Sequence, residues 1–201
     1  VPDEKGKTHY AFFSSTSKAQ EEHFAGIAKE IEQKFLKENS QVLEIGSNDG
    51  ILLHSMRDSV RVLGVDPARN IARVANERGV ETIPEFFSAE LAKTIKEKYG
   101  MARLIIANNV VAHMNDHHDL LNGVSTLLDK DGVFIFEAQY LTDMFDNLKF
   151  DTIYHEHLSY LALRPLVQLC KAHGMEIFDI RTHPVQGLSL RVYAGFSGMH
   201  K

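Results

Sequence analysis

At 201 residues, with a net charge of −5 and ordinary apolar (44%) and charged (24%) fractions, the chain is sized for one globular domain with a sizeable core. The acidic balance argues against sequence-independent nucleic-acid binding, which needs a basic surface. No apolar run reaches membrane-spanning length and no secretory leader is visible, which predicts a cytoplasmic address and no membrane partner. Cys170 is the single cysteine, which rules out an intrachain disulfide and a cysteine-based zinc site within these residues.

Residues 1–9 are polar and expected to be poorly ordered. An aromatic and hydroxyl patch, Tyr10 to Thr16, precedes a helix predicted from about Lys18 to Lys37. Phe24, Ile27, Ala28, Ile31, Phe35 and Leu36 recur there at helical spacing. Residues 1–39 thus read as a segment covering one face or the mouth of a site, and residues 40–201 as the core.

From Val42 the pattern alternates. Strands are predicted at Val42 to Ile45, Val60 to Val65, Glu81 to Pro84, Leu104 to Ala107 and Val133 to Glu137, with Asp131-Gly132 turning the chain into the last of these. Helices are predicted at Ile51 to Asp58, Ala68 to Arg78, Ala89 to Lys98 and His117 to Leu128. Residues 139–152 show little periodicity. A helix follows from about Pro165 to His173, closed by Gly174, with Cys170 as a buried small hydrophobe. The end reads as a hairpin-like pair, Glu176 to Arg181 and Leu188 to Phe196, joined through Pro184 and Gly187. This order predicts an α/β fold with a doubly wound, mostly parallel sheet and a C-terminal antiparallel strand pair.

The element around which the chain is organised is Leu43-Glu44-Ile45-Gly46-Ser47-Asn48-Asp49-Gly50, a strand running into a glycine loop and then a helix. Glycines allow close backbone approach to a ligand, and a helix start offers free N–H groups. The spacing is not the G-x-G-x-x-G of a dinucleotide site, and Glu44 and Asp49 would repel a pyrophosphate. They suit a ligand carrying a sulfonium and an ammonium group. Asp66 ends the second strand about 20 residues on, where such folds bind ribose hydroxyls. Together these features resemble motif I and the acidic motif after it in class I S-adenosylmethionine (SAM) methyltransferases. The other reading is an α/β loop without a ligand.

A second cluster is Tyr154-His155-Glu156-His157. Histidine serves as a general base near neutral pH, glutamate orients an imidazole, and a tyrosine hydroxyl donates to a developing oxyanion. Beside a methyl donor, this composition points to proton removal before methyl transfer. A surface pair or a metal site are the alternatives. A metal needs three or four ligands in suitable geometry. His113 lies one strand away, with His117 and His118 at a helix start and expected to face solvent. No metal is predicted.

The first motif, together with Tyr154 to Tyr160, Gln186-Gly187-Leu188-Ser189-Leu190-Arg191-Val192-Tyr193 and the opening Tyr10-Ala11-Phe12-Phe13-Ser14-Ser15, resembles the nucleotide-sugar C-methyltransferases. That resemblance implies methylation of a carbon alpha to a ketone of a nucleotide-linked deoxysugar. It implies that His157 is the base, that Glu156 and Tyr154 support it, and that His113 at the end of Asn108-Asn109-Val110-Val111-Ala112-His113 stabilises an enolate. Glu44, Gly46, Ser47, Asn48, Gly50, Asp66, Pro67 and Asn108 would line the SAM site, with the adenine near Glu85 and Phe86. Tyr10, His155 and Arg191 would contact the substrate. Family members carry a zinc module before the core and a further domain after it, neither of which lies in these residues. They also carry Gly-Gly where this chain has Gly187-Leu188. An oxygen or nitrogen methyltransferase, or a SAM-binding module without catalysis, are the competing functions on the same scaffold.

Overall fold

In a computed structural model the protein is described over residues 18–183 and 189–200. Tyr10 and the Pro184–Leu188 segment therefore lie outside the described residues. The chain runs α1 (Lys18–Phe35), β1 (Gln41–Ile45), α2 (Ile51–Met56), β2 (Arg61–Val65), α3 (Arg69–Glu77), β3 (Thr82–Ile83), α4 (Ala89–Tyr99) and β4 (Ala102–Asn108). A 3-10 turn, Val111–His113, then leads to α5 (His117–Leu127), β5 (Leu128–Gln139) and α6 (Leu141–Asp146). A second 3-10 turn, Phe150–Thr152, is followed by α7 (Leu163–Ala172), β6 (Met175–His183) and β7 (Ser189–Phe196).

The strands form one sheet in the order β3-β2-β1-β4-β5-β7-β6. Pairing is parallel from β3 through β5 and antiparallel for β5 with β7 and β7 with β6. The order reverses between β1 and β4, so the crevice that this topology offers a ligand opens beyond the carboxyl ends of those strands.

Strands buried on both faces explain the continuous apolar runs. Leu43, Ile45, Ile105, Ala107, Phe134 and Phe136 pack with α4, α5 and α7 on one side. Val42, Leu104, Ile106, Val133, Ile135 and Tyr193 pack with α1 and α2 on the other. Through Ile27, Ala28 and Ile31, α1 covers that second face. The alternation of side chains along a strand puts Glu44, Asn108, Glu137 and Arg191 on the α1 face too, near the strand ends.

Three readings of the sequence change. Asp131-Gly132 does not start a strand: β5 already begins at Leu128, and the irregularity is absorbed inside it, where Ala102 pairs with Leu128 but Leu104 pairs with Val133. The aperiodic stretch after β5 contains α6, which six residues are too few to announce by periodicity. His117 is half-buried rather than solvent-facing, whereas His118 is exposed. Cys170 is buried as expected, and burial pushes its thiol up to about 11.

Candidate active site

The glycine loop leaves β1 with its backbone pinned to the neighbouring strand: the amides of Gly46 and Ser47 both donate to the Val65 carbonyl, at 2.8 and 3.3 Å. Gly46 sits at φ +68°, and a Cβ there would lie 2.8 Å from Cγ2 of Val110. The missing side chain therefore lets the segment after β4 close over the loop. Asn48 adopts a left-handed conformation, which asparagine tolerates better than most residues. Gly50 does the same at the start of α2.

Asp66 ties the two loops together. One carboxylate oxygen accepts the Asn48 amide and the other the Ala68 amide, each at 2.9 Å, with half-buried Pro67 between Asp66 and Ala68. Each oxygen keeps a second lone pair for a hydroxyl. Burial pushes the Asp66 carboxyl up, and the two amide hydrogen bonds pull it back. Glu85 and Phe86 (44% exposed) stand at the carboxyl end of β3, beside Asp66, whose own amide donates to the Ile83 carbonyl.

Glu44 is 4% exposed. Its carboxyl is held well above the usual carboxylate range, first by burial and then by the charges of Asp66 and Asp49, with Asn108 offsetting part of this. Oε2 of Glu44 and Nδ2 of Asn108 are buried without a hydrogen-bond partner of ordinary geometry among the described residues. The Asn108 side chain still pulls the Glu44 carboxyl down as a weak hydrogen-bond partner. A buried acceptor beside a buried donor at the sheet's switch point is what a ligand with both ammonium and carboxylate groups can use. The methyl donor SAM carries both.

Two loop residues look away from this crevice. Asp49 is fully buried and its Oδ2 accepts from Arg78 at 3.1 Å, so the loop acid is a structural anchor to the end of α3. Ser47 turns inward against Gly64, where a Cβ would approach its Oγ to 2.5 Å.

The second half of the site is built by the 3-10 turn after β4 and by the segment after α6. The amides of Leu158 and Ser159 both donate to the Ala112 carbonyl, at 2.9 and 3.2 Å. This brings the rings of His113 and His157 to 4.9 Å, with Tyr154 4.3 Å and Tyr160 6.1 Å from His157. Nδ1 of His157 donates to the Thr152 carbonyl at 2.8 Å, and Nδ1 of His113 to the Glu156 carbonyl at 2.8 Å. Carbonyls only accept, so both Nδ1 atoms carry a proton, and in the neutral form of either ring Nε2 is the nitrogen without one.

Burial holds His113 below the usual histidine range, and nearby His157 adds to this, against the Glu156 hydrogen bond. Burial also raises the Tyr154 phenol, with help from Glu156 and Tyr160, so its hydroxyl keeps its proton. Tyr154 is 43% exposed, and His155 and Glu156 are exposed as well. Glu156 engages His113 through its main chain.

Arg191 stands apart from the expected substrate contacts. It is 1% exposed and bound to buried Glu137 on the neighbouring strand. The sequence reading passed over Ala112, Thr152 and Tyr160. Tyr160 lay within the quoted motif. The two backbone carbonyls carry no sequence signature. Among the described residues no group of three or more histidines, cysteines or acids is arranged to hold a metal. No helix among them is long and apolar enough to cross a membrane. A depression of about 500 Å³ lined by Gln41, Arg57, Arg61 and Tyr99 opens at the amino ends of β1 and β2, away from this site.

The chain is 43% identical over 188 residues to the C-methyltransferase NovU of Streptomyces niveus, an alignment that covers 92% of this chain and 45% of that protein. The chain therefore spans less than half of that relative's length. Its fold matches magnesium protoporphyrin IX methyltransferase from Synechocystis PCC 6803 with bound S-adenosylhomocysteine (SAH). The TM-score is 0.66 at 12% identity, covering 90% of this chain and 88% of the other. It also matches a SAM-dependent methyltransferase of Thermotoga maritima, described as a possible histamine N-methyltransferase, with a TM-score of 0.61 at 17% identity, covering 87% and 90%. The family model described as a methyltransferase domain matches residues 16–180. With its seven-stranded sheet and antiparallel end, the chain belongs to the methyltransferase domain family, whose methyl donor is SAM.

Proposed function

We propose that this domain methylates carbon, using His157 to take a proton alpha to a ketone on a nucleotide-linked deoxysugar. The observation that carries this reading is the 2.8 Å contact between Nδ1 of His157 and the Thr152 carbonyl. The Nδ1–H is committed to that carbonyl, so in the neutral ring Nε2 is the free base of an oriented imidazole. A methyltransferase acting on an acidic hydroxyl has little need of such a base. The identity to NovU supports transfer to carbon.

Glu44 and Asn108 would hold the amino-acid end of the donor and Asp66 its ribose hydroxyls, with Phe86 beside the adenine. Bound there, SAM supplies an electrophilic methyl on a sulfonium. His157 accepts the carbon-bound proton at Nε2 and becomes an imidazolium held by the same carbonyl. Neutral His113 shows a lone pair at Nε2, so it donates to an enolate oxygen only when protonated. The Tyr154 hydroxyl needs no added proton and is the better donor to that oxygen. Positioning by the Ala112 carbonyl keeps the two imidazoles together.

The test is deuterium wash-in. The chain is incubated in heavy water with a panel of 4-keto sugar nucleotides, once with SAH to read exchange and once with SAM to read methyl transfer. Exchange of a carbon-bound proton next to the ketone, dependent on His157, is expected. Methyl transfer without any exchange would assign the chain to oxygen or nitrogen methylation. SAH binding with neither exchange nor transfer across the panel would favour a non-catalytic module.

A further inference from the structure

We propose that His117 is a positioning residue that clamps together the two segments carrying His113 and His157. It rests on the reading of those two histidines as a working pair. His117 opens α5, a rigid element whose Leu120, Leu121, Val124 and Leu127 are buried in the core. Asp116 caps that helix by accepting the amides of His118 and Asp119, at 2.8 and 3.1 Å, which fixes where His117 begins.

The imidazole of His117 reaches back from the helix to both segments. Its Nε2 lies 3.0 Å from the Val111 carbonyl and 3.3 Å from Oγ of Ser159. A carbonyl must accept, so Nε2 carries the proton and shares it between these two oxygens. Val111 stands two residues before His113, and Ser159 two residues after His157. The same pair of segments is joined once more by the Ala112 carbonyl, which takes the amides of Leu158 and Ser159. The main-chain bonds fix how far apart the segments sit. The His117 bond ties both of them to the core through α5.

The ring is half-buried and borders an apolar recess lined by Leu120, Leu166 and Cys170. Among these neighbours, a side chain without a donor would leave the Ser159 hydroxyl and one lone pair of Val111 without this partner. The 3-10 turn bearing His113 would then keep only the apolar packing of Val111 near Leu120 and Leu121 of α5, which is less directional than this hydrogen bond. His117 touches neither imidazole, so its effect passes through the backbone to both.

The experiment uses the full chain with His117→Ala, His117→Gln and Ser159→Ala. The glutamine amide can place an N–H near the position of Nε2. Three quantities are read: the imidazole NMR signals of His113 and His157, the affinity for SAH, and kcat with an acceptor found in the panel above. His117→Ala is expected to move both imidazole signals and to lower kcat by about 10²-fold, the scale of a misplacement of about 1 Å. SAH affinity should not change, and His117→Gln should restore most of both effects. Ser159→Ala should give a smaller change in the same direction, and it carries the comparison if His117→Ala does not fold. Unmoved imidazole signals, or a fall in kcat matched by an equal loss of SAH affinity, overturn the proposal. If the wild-type chain turns over no acceptor, the functional reading fails, while the imidazole signals still decide the clamp.

Discussion

Arg191 places its Nε at 3.0 Å and a terminal nitrogen at 2.8 Å from one and the same oxygen of Glu137, its cross-strand partner between β5 and β7. Both side chains are buried, at 1% and 2% exposure. Breaking such a pair leaves a buried charge without compensation. Arg191→Leu is therefore expected to cost roughly 3–5 kcal/mol in urea denaturation, and Glu137→Leu a similar amount. Changing both to leucine should recover most of the loss, because an apolar pair of similar volume avoids the desolvation of two ions. Additive single and double mutants would show that the pair is not coupled. The double variant also addresses a substrate role for Arg191, since a folded protein with a raised KM would reveal one.

Glu44 sets stability against donor binding. A carboxyl held above its usual range means that the fold disfavours its charged form. That penalty is fully present at high pH, and it disappears as pH falls through the raised folded-state value. Glu44→Gln should therefore raise the thermal midpoint of the ligand-free chain at pH 8. It should also weaken SAH binding by about ten- to a hundredfold, the range for losing a hydrogen bond to a charged group. Unchanged SAH affinity would take Glu44 out of the donor site.

Gly46 faces two separate constraints, and they can be separated by mutation. Alanine there meets Val110 at 2.8 Å and must also hold φ near +68°. The backbone term alone is worth about 1–2 kcal/mol. Gly46→Ala should destabilise by more than that and abolish SAH binding. Adding Val110→Ala should remove the 2.8 Å collision but leave the position-110 Cβ at 3.0 Å and the backbone term, so recovery should be partial. Full recovery would mean that the left-handed backbone is not a constraint.

His113 contributes to acid sensitivity with a definite sign. Its folded-state value is depressed by burial, so the unfolded chain takes up the proton first. Above the ordinary histidine value of about 6.5 it has no effect, and stability falls as pH drops from there through the folded value. His173 and His183, also depressed by burial, act in the same direction. The raised carboxyls of Glu44 and Asp66 act in the opposite one. His113→Asn should therefore flatten the loss of urea midpoint between about pH 6.5 and 5 relative to wild type. A parallel pair of curves would contradict burial as the cause.

His157→Asn removes the base while keeping a side chain of polar character. Turnover and deuterium exchange should both fall by about 10²- to 10⁴-fold, the usual contribution of a general base, with SAH affinity intact. A loss of SAH binding in calorimetry would instead mark His157 as structural.

The alternation of strands and helices was legible because both faces of this sheet are buried, which writes each strand as an apolar run. The donor loop was legible for a related reason: Gly46 and Gly50 occupy left-handed backbone that few residues satisfy, and Asp66 accepts two loop amides through its carboxylate. What escaped were relationships set by tertiary contact. Nothing local distinguishes Asp49, which is buried against Arg78, from a loop acid facing a ligand. Arg191 lies in the Gln186-to-Tyr193 motif and reads as a substrate contact until β5 supplies Glu137. The 108–113 and 154–160 motifs were each visible, but the Ala112 carbonyl that joins them is invisible in a sequence. α6 is too short to show a period, and β5 hides its first residues behind Asp131-Gly132.

The ribose end of the proposed donor site needs only β1, β2 and the loops between them, with Asn48 and Asp66 18 residues apart in the chain, whereas Asn108 joins it from β4. The acceptor half depends on His113 meeting the Glu156 carbonyl, a separation of 43 residues that spans α5, β5 and α6. Loop closure over the longer span costs more entropy and rewards the chain only once the intervening elements are in place. During synthesis or refolding, a nucleotide pocket can thus form ahead of the chemical machinery that acts beside it. A chain in that state would bind SAH weakly through its ribose end but perform no proton exchange, so part of its ligand affinity would mature earlier in refolding than its turnover.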